Sequence, residues 1–239
     1  MRSVSLVTLP VIPYGQALAM QHAVREALWD EGSEAIGTLM CLEHPPTVTL
    51  GKRGKDTDLI APDLLRANGV EVFSIDRGGE ATFHAPGQLI LYPVMHLECL
   101  NMGVVDVIRG LARCVIEVLS EHGIPARYDD DHPGVWVDDG VSAARKIASV
   151  GMRVRNGVCT HGVAVNVTNE MSGFSLIVPC GIPDAPMTRL LDEVDETPVS
   201  VRAVRAALLP KIMKLMDVEL IEQELELPGE AYWAKSLPI

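Results

Sequence analysis

The segment KIASVGMRVRNGVCTHGVAVNV, Lys146 to Val167, carries the clearest fold signal in the chain. Two runs of alternating apolar residues flank Asn156-Gly157, a dipeptide that favours a two-residue hairpin turn because both of its residues tolerate positive φ. The turn pairs Arg155 with Val158. The segment therefore predicts two antiparallel strands.

Pairing outward from this turn determines which side chains share a face of the sheet. Gly151 falls opposite Gly162, and Ser149 falls opposite Ala164. We call these four residues the small-residue face, because larger side chains would normally stand there. Either a helix packs closely against this face or a ligand lies in it, and the sequence leaves both interpretations open.

The rest of the chain alternates between helical and strand patterns. Apolar residues recur at helical spacing in 14–32 and 104–123, which end at the capping residues Gly32 and Gly123, and again from about Val199, with a break at Pro210. Runs rich in β-branched and apolar residues occupy 35–51, 70–76, 89–97 and 134–137. These patterns predict an α/β fold of the α+β type, with a mixed β-sheet core flanked by helices.

Length, charge and cysteine content limit the class of protein. At 239 residues and 48% hydrophobic, the chain suits a single domain, 1–239, whose tail after about residue 222 carries no clear pattern. A net charge of −12 argues against binding to nucleic acid or anionic membranes, which require a cationic surface. We see no signal peptide, no apolar stretch of about 20 residues and no CxxC pair among the five cysteines. We therefore expect a cytoplasmic protein.

Cys180 differs from the other cysteines in its setting. It follows Pro179 at the end of an apolar run and precedes Gly181, so a tight turn would leave its thiol approachable. The other four lie inside apolar patterns, which are typical of inert buried residues: Cys41, Cys99, Cys114 and Cys159.

Lys146 begins a largely apolar strand, so its amine either reaches solvent or is partly buried beside a partner. A partly buried lysine can exchange protons near neutral pH, and beside a cysteine its positive form stabilises the thiolate. A Cys/Lys pair is therefore chemically sensible, although the residues alone do not place the two side chains together.

The remaining polar motifs have structural interpretations. His84 and His161 lie beside glycine or Pro-Gly turns, but a lone histidine is more often a hydrogen-bonded structural residue. The acidic run DDDHP, 129–133, lacks the ligand spacing of a metal site and indicates a solvated loop. The segment LGKRGKD, 50–56, lacks the pattern of a phosphate-binding loop and indicates a basic surface loop.

The segment RGGEATFHAPGQ, Arg77 to Gln88, combines several glycines, which give its backbone conformational freedom, with a histidine. Together with KIASVGMRV, THGVAVNV and IVPCGI, in this order and spacing, it resembles the octanoyltransferases that start protein lipoylation, also called lipoate-protein ligase B. The resemblance runs from about Leu42 to Cys180 and beyond, which is most of the chain.

The resemblance implies the fold of biotin and lipoate ligases, with no cofactor and no metal. It implies transfer of an octanoyl group from octanoyl-acyl carrier protein to a lysine of lipoyl domains, in 2-oxoacid dehydrogenase complexes and in the glycine cleavage H protein. By motif position, Cys180 matches the nucleophile that carries the acyl thioester, and Lys146 matches the lysine that favours its thiolate. The stretches that match substrate-contacting segments are Arg77, Gly78, Gly79, Glu80, Ala81, Thr82, Phe83, His84, Ser149, Val150, Gly151, Gly162, Val163 and Ala164.

In this interpretation the two glycines of the loop let the backbone approach the acyl chain, and Phe83 and His84 wall the pocket. Ala85 departs from the glycine usual in the family, with little expected effect because a residue before proline already favours extended geometry. Strict alternation places Lys146 on the face opposite Ser149, so a bulge or twist is expected at the strand start. Two alternatives stay open: an ATP-dependent lipoate or biotin ligase, and a non-catalytic acyl-binding protein.

Overall fold

The computed structural model describes residues 2–29, 35–183, 185–195 and 198–224. The strands are β1 Arg2–Val11, β2 Gly37–Glu43, β3 Thr47–Leu50, β4 Glu71–Ser74, β5 Ala81–His84, β6 Gln88–His96, β7 Ala126–Asp129, β8 Gly134–Val137, β9 Arg145–Arg155, β10 Val158–Asn166 and β11 Val218–Glu222. The helices are α1 Tyr14–Trp29, α2 Pro62–Ala67, α3 Leu97–Leu100, α4 Val104–Glu121, α5 Leu190–Glu193 and α6 Val201–Met216, with 3₁₀ turns at Asp56–Asp58 and Ser172–Leu176.

Eight strands form one mixed sheet in the order β11-β1-β2-β6-β10-β9-β8-β7. β1 runs parallel to both β11 and β2, and the remaining pairs are antiparallel. The central strands β6 and β10 are buried almost throughout, as their near-continuous apolar sequences require. A second sheet, ordered β4-β3-β5, lies beside it.

The two faces of the large sheet are covered differently. On one face α4 and α6 pack over a large apolar core that includes Leu111, Val163 and Leu208. On the other face α1 covers a smaller cluster that includes Met20 and Ile90. The predicted mixed sheet flanked by helices is confirmed.

The predicted hairpin forms with the predicted register. Asn156 and Gly157 have φ of 50° and 77°, and Arg155 pairs with Val158. Further along, Gly151 pairs with Gly162 and Ser149 with Ala164. The local turn chemistry therefore aligns the small-residue face.

The expected irregularity near Lys146 is a β-bulge. Val135 of β8 pairs with Ala148, but the next residue, Trp136, pairs with Lys146, which leaves Ile147 as the extra residue of β9. Ile147 and Ala148 both lie in the core beneath α4 and α6. The bulge therefore turns Lys146 to the same face as Ser149, which strict alternation forbids.

Most predicted helices are confirmed, with changes at their ends. Helix α4 is followed by Gly123 with a φ of 74°, as predicted, whereas Gly32 lies outside the described residues. Helix α6 begins after Ser200, whose hydroxyl accepts the Ala203 N–H at 3.1 Å. The predicted break at Pro210 is wrong, because α6 continues through this residue to Met216.

Four strands escaped prediction: the ten-residue β1 and the short strands β5, β7 and β11. β5 lies inside the Arg77–Gln88 segment, so this segment is a loop only up to Glu80 and then pairs with β3. β11 pairs with β1 at the sheet edge. Strands of four or five residues have too few positions for an alternation to be recognised, and their partners are distant in sequence.

Candidate active site

A cavity of about 510 Å³ lies on the α1 side of the large sheet. Its walls come from the Arg77 loop, the small-residue face and the turn that carries Cys180. Thirteen of the fourteen predicted substrate-contacting residues line it, together with Lys146 and Cys180. Separate parts of the sequence thus meet around one space, which lies in the size range of small-molecule sites.

Cys180 stands on a sharp turn after the second 3₁₀ turn. Its backbone is left-handed, with a φ of 57°, and its N–H donates to the Ala81 carbonyl at 3.0 Å. The side chain is half-buried and faces the cavity. The tight turn expected from the Pro-Cys-Gly sequence is therefore present, and strand β5 holds it in place.

Lys146 is 1% exposed, and its amine lies beside the Cys180 thiol. Nζ is 2.9 Å from Sγ of Cys180 and 2.8 Å from the carbonyl oxygen of Pro133. It also lies 5.2 Å from the centroid of the Trp136 ring. The two side chains that the sequence could not place together are therefore in hydrogen-bonding contact.

Arg77 adds a second positive charge and shapes the loop. Its guanidinium donates to the carbonyls of Thr49, Gly78 and Glu80 and to the Thr49 hydroxyl, at 2.8 to 3.0 Å. Burial lowers the pKa of Arg77, and the negative charge of a Cys180 thiolate opposes that shift. The guanidinium therefore fixes the loop backbone and brings a positive charge to the cavity that Cys180 faces.

The small-residue face is filled in part by backbone. A Cβ added at Gly151 would lie 2.7 Å from the carbonyl oxygen of Gly78, and one at Gly162 would collide with the carbonyl oxygen of Leu91. The Gly78 N–H also donates to the Met152 carbonyl at 3.0 Å. At Gly151 the face therefore receives the Arg77 loop, whereas Ala164 belongs to the cluster beneath α1, and the cavity lies beside both.

The remaining part of the cavity is lined by Tyr14, His84, Tyr92 and His161, and the buried His44, which does not line it, packs against the first three. Nδ1 of His44 must donate to the Ile12 carbonyl, 2.9 Å away, so its Nε2 accepts the Tyr92 hydroxyl at 2.9 Å. Nδ1 of His84 similarly faces Oε1 of Gln88 at 2.8 Å. Burial lowers the pKa of His44 to about 4 and that of His84 to about 3. Both imidazoles are therefore neutral near pH 7.

Asp76 and His161 form a polar pair at the edge of the same region. Nε2 of His161 lies 3.2 Å from Asp76, and this contact lowers the pKa of the carboxyl to about 2. His161 has a left-handed backbone, with a φ of 59°. The Gln21 side chain accepts its backbone N–H at 2.7 Å. His161 therefore lines the cavity with its backbone held by Gln21 and its Nε2 beside Asp76, and burial lowers the pKa of its imidazole.

Two sequence expectations are wrong in detail. Phe83 does not line the cavity, because alternation along β5 turns it away from Thr82 and His84 and onto Phe174, with ring centroids 5.6 Å apart. Cys99 is exposed rather than buried. The other cysteines assigned to the core are buried, which raises the pKa of Cys41 to about 12 and of Cys114 and Cys159 to about 11.

Sequence reasoning missed several residues at the site. Tyr14 and Tyr92 line the cavity from α1 and β6, and the 131–133 turn lines it beside Lys146. A tyrosine inside an apolar strand is one signal that could have been used, because a buried hydroxyl needs a partner. Over the ranges that the structure describes, no three His, Cys, Asp or Glu side chains form a group that could hold a metal ion. No helix in those ranges is long and apolar enough to cross a membrane.

Comparison with known proteins agrees with this architecture. The lipoyl protein ligase A/B catalytic domain family matches residues 13–213. An octanoyltransferase of Chloroflexus aggregans is 43% identical over 201 residues, covering 83% of this chain and 88% of that protein. An octanoyltransferase of Roseiflexus sp. is 38% identical over 221 residues, covering 92% and 90%.

The fold is also found among solved structures. A bipartite lipoate protein ligase from Thermoplasma acidophilum superposes with a TM-score of 0.77 at 20% identity, covering 98% of this chain and 92% of that one. At this identity the likeness concerns the fold alone. The sequence relatives are much closer, and they carry the classification: the chain belongs to the octanoyltransferases of the lipoyl protein ligase A/B family, which are acyltransferases.

Proposed function

We propose that the protein transfers an octanoyl group from octanoyl-acyl carrier protein to a lysine of lipoyl domains, by way of a thioester on Cys180. The acceptors are the lipoyl domains of 2-oxoacid dehydrogenase complexes and the glycine cleavage H protein. One observation carries this proposal: the amine of Lys146 lies 2.9 Å from the Cys180 sulfur at a cavity of about 510 Å³. A thiol with a buried amine beside it suits nucleophilic catalysis.

In the first half-reaction, the Cys180 thiolate attacks the carbonyl carbon of the donor thioester. The new carbon–sulfur bond replaces the bond to the carrier's thiol, and that thiol leaves with the proton of Lys146. The positive charges of Lys146 and Arg77 favour the thiolate before attack. The octanoyl group then rests on Cys180, and Lys146 is a neutral amine.

In the second half-reaction, the amine of the acceptor lysine attacks the octanoyl-Cys180 thioester. An amide bond forms, the bond to the Cys180 sulfur breaks, and Lys146 takes the proton released by the attacking amine. The pair returns to its starting state. Conversion of a thioester to an amide is downhill, so the cycle needs no ATP.

The cavity supplies the interactions for the acyl chain. We propose that the residues lining it, from Arg77 to Thr82, His84, Ser149 to Gly151 and Gly162 to Ala164, contact the octanoyl group and its thioester. Seven saturated carbons, at about 0.8 kcal/mol each, give roughly 5 kcal/mol of binding. We also propose a single catalytic domain, since β1 and β11, which lie near opposite ends of the chain, pair in the same sheet.

Intact-mass analysis after incubation with octanoyl-acyl carrier protein tests the acyl-enzyme. We expect a covalent adduct of one octanoyl group, localised to Cys180 by peptide mapping and removed when a lipoyl domain is added. Transfer that requires ATP would favour the ligase alternative. Bound octanoyl groups that never become covalent would favour the acyl-binding alternative.

A further inference from the structure

The amine of Lys146 is held by a hairpin turn as well as by Cys180. The turn, residues 130–133, joins β7 to β8. Its last carbonyl, that of Pro133, accepts a hydrogen bond from Nζ at 2.8 Å. Beside it, Gly134 leaves room for the lysine stem, because a Cβ there would collide with Cε of Lys146. The shape of this turn therefore determines where the amine lies.

One carboxylate organises this turn. Oδ1 of Asp129 accepts the backbone N–H groups of Asp131 and His132 at 3.0 and 2.8 Å. Its other oxygen accepts Nη1 of Arg127 at 2.7 Å, and these contacts lower the pKa of the carboxyl. Asp129 is therefore an ionised acceptor that fixes the first half of the turn, close to the carbonyl that meets Lys146.

Trp136 fixes the second half. Its indole N–H donates to the His132 carbonyl at 3.0 Å, and its ring faces the amine of Lys146. Trp136 is also the residue that pairs with Lys146 across the bulge. One side chain therefore contacts both the turn and the lysine that the turn holds.

From these contacts we infer that Asp129 and Trp136 are positioning residues for Lys146, acting through the Pro133 carbonyl. A carbonyl accepts an N–H from an ammonium or from a neutral amine, so this contact persists while Lys146 loses and regains a proton. A carboxylate in the same place would favour the charged form and hinder the release of that proton. The inference rests on the proposed Cys180/Lys146 chemistry and adds to it the element that keeps the amine in place.

The test compares four variants with the wild-type protein. Asp129→Ala removes the acceptor of the turn, and Asp129→Asn keeps an oxygen there. Trp136→Phe keeps a ring beside the amine but removes the indole N–H. Asp138→Ala is the matched control, because Asp138 also accepts Arg127, at 2.8 Å, while the backbone N–H that it accepts is that of Gly140 and not one of residues 130–133. Thermal unfolding shows whether each variant is folded.

Two measurements are made on each variant: kcat and KM with octanoyl-pantetheine, and the alkylation rate of Cys180 by iodoacetamide as a function of pH. The other charged or titratable groups lining the cavity are unchanged in all variants: Tyr14, Arg53, Arg77, Glu80, His84, Tyr92, Asp131, His132 and His161. We expect Asp129→Ala and Trp136→Phe to lower kcat about ten- to a hundredfold with little change in KM, since the amine is misplaced. Their alkylation profiles should shift to higher pH. Asp129→Asn should retain most activity, and Asp138→Ala should match the wild type.

Lys146→Ala distinguishes a failure of the Cys180/Lys146 pairing from a failure of the positioning role. Suppose that Lys146→Ala shifts the alkylation profile, whereas the folded variants Asp129→Ala and Trp136→Phe keep the wild-type profile and the wild-type kcat. The positioning role is then wrong, and the pairing of Lys146 with Cys180 is retained. If Lys146→Ala itself leaves the profile unchanged, the proposed pairing of Lys146 with Cys180 fails first. If Asp129→Ala does not fold, Trp136→Phe decides the question alone.

Discussion

At the scale of single residues, Cys180 contributes chemistry and little packing, because its side chain is half-buried on a turn. We expect Cys180→Ala and Cys180→Ser to lower transfer by a factor of about 10³ or more, since a missing nucleophile abolishes the covalent route. Both variants keep a Cβ at the left-handed position, so thermal unfolding should change little. Wild-type-like turnover by either folded variant would contradict the acyl-enzyme mechanism.

Buried neutral histidines should give the protein an acid-sensitive stability. The folded-state pKa of His44, about 4, lies below the value of about 6.5 for an unfolded chain, so the folded state binds fewer protons in this window. The contribution is fully present above about pH 6.5 and is lost as the pH falls towards 4, by up to about 1.4 kcal/mol per pH unit. Urea unfolding between about pH 6.5 and 5 should therefore show a shallower pH slope for His44→Gln than for wild type. His122 is exposed, so His122→Gln should keep the wild-type slope. An equal slope in the wild type, His44→Gln and His122→Gln would show that His44 is not buried in its neutral form.

At the scale of elements, strand β10 of the hairpin packs closely against its neighbour β6. A side chain at Gly162 would collide with the β6 backbone, so its bulk would not enter the acyl cavity. We expect Gly162→Ala to destabilise the protein by about 1–3 kcal/mol in thermal or urea unfolding, with unchanged preference between octanoyl and shorter chains. Ser149→Ala, on the same face, should be nearly neutral. A stable Gly162→Ala enzyme that prefers shorter chains would show that the added methyl group enters the acyl cavity.

The same elements show what the sequence could predict. The hairpin register followed from Asn156-Gly157, because a two-residue turn fixes pairing locally. The bulge at Ile147 was expected only because Lys146 had to reach the face of Ser149. Three other features depend on contacts between segments that are distant in sequence. These are the position of the Pro133 carbonyl beside Lys146, the packing of Phe83 on Phe174 and the pairing of β11 with β1. Alternation and turn chemistry carry no information about such contacts.

At the scale of the whole molecule, a net charge of −12 should repel acidic carrier proteins and lipoyl domains unless positive charge is concentrated at the cavity mouth. In the loop 51–55, Arg53 donates to Glu80 at 2.6 Å and lines the cavity. Lys52 and Lys55 are exposed, and they are the cations of this loop that make no ion pair with Glu80. We expect Lys52→Glu with Lys55→Glu to raise KM for octanoyl-acyl carrier protein but not for octanoyl-pantetheine. Added salt should weaken the wild type more than this variant, because exposed charges are screened over about 8 Å at physiological ionic strength.

A matched control makes the same charge change elsewhere. Arg202 and Lys214 are exposed on α6, which covers the opposite face of the sheet. Arg202→Glu with Lys214→Glu should leave KM for both donors near the wild-type values. Equal losses in the two double variants would mean that overall charge, and not the loop beside the cavity, governs docking.

The left-handed backbone at Cys180 has an evolutionary consequence. Glycine adopts a φ of 57° without the steric cost that any residue with a Cβ bears. The mutation that relaxes this turn is therefore also the mutation that removes the thiol. In a lineage that no longer needed the reaction, selection for stability alone would favour glycine at this position, so a descendant that had lost the activity could still be well folded. A homologue with Pro-Gly-Gly in place of Pro-Cys-Gly, on an otherwise intact fold, would be such an inactive descendant.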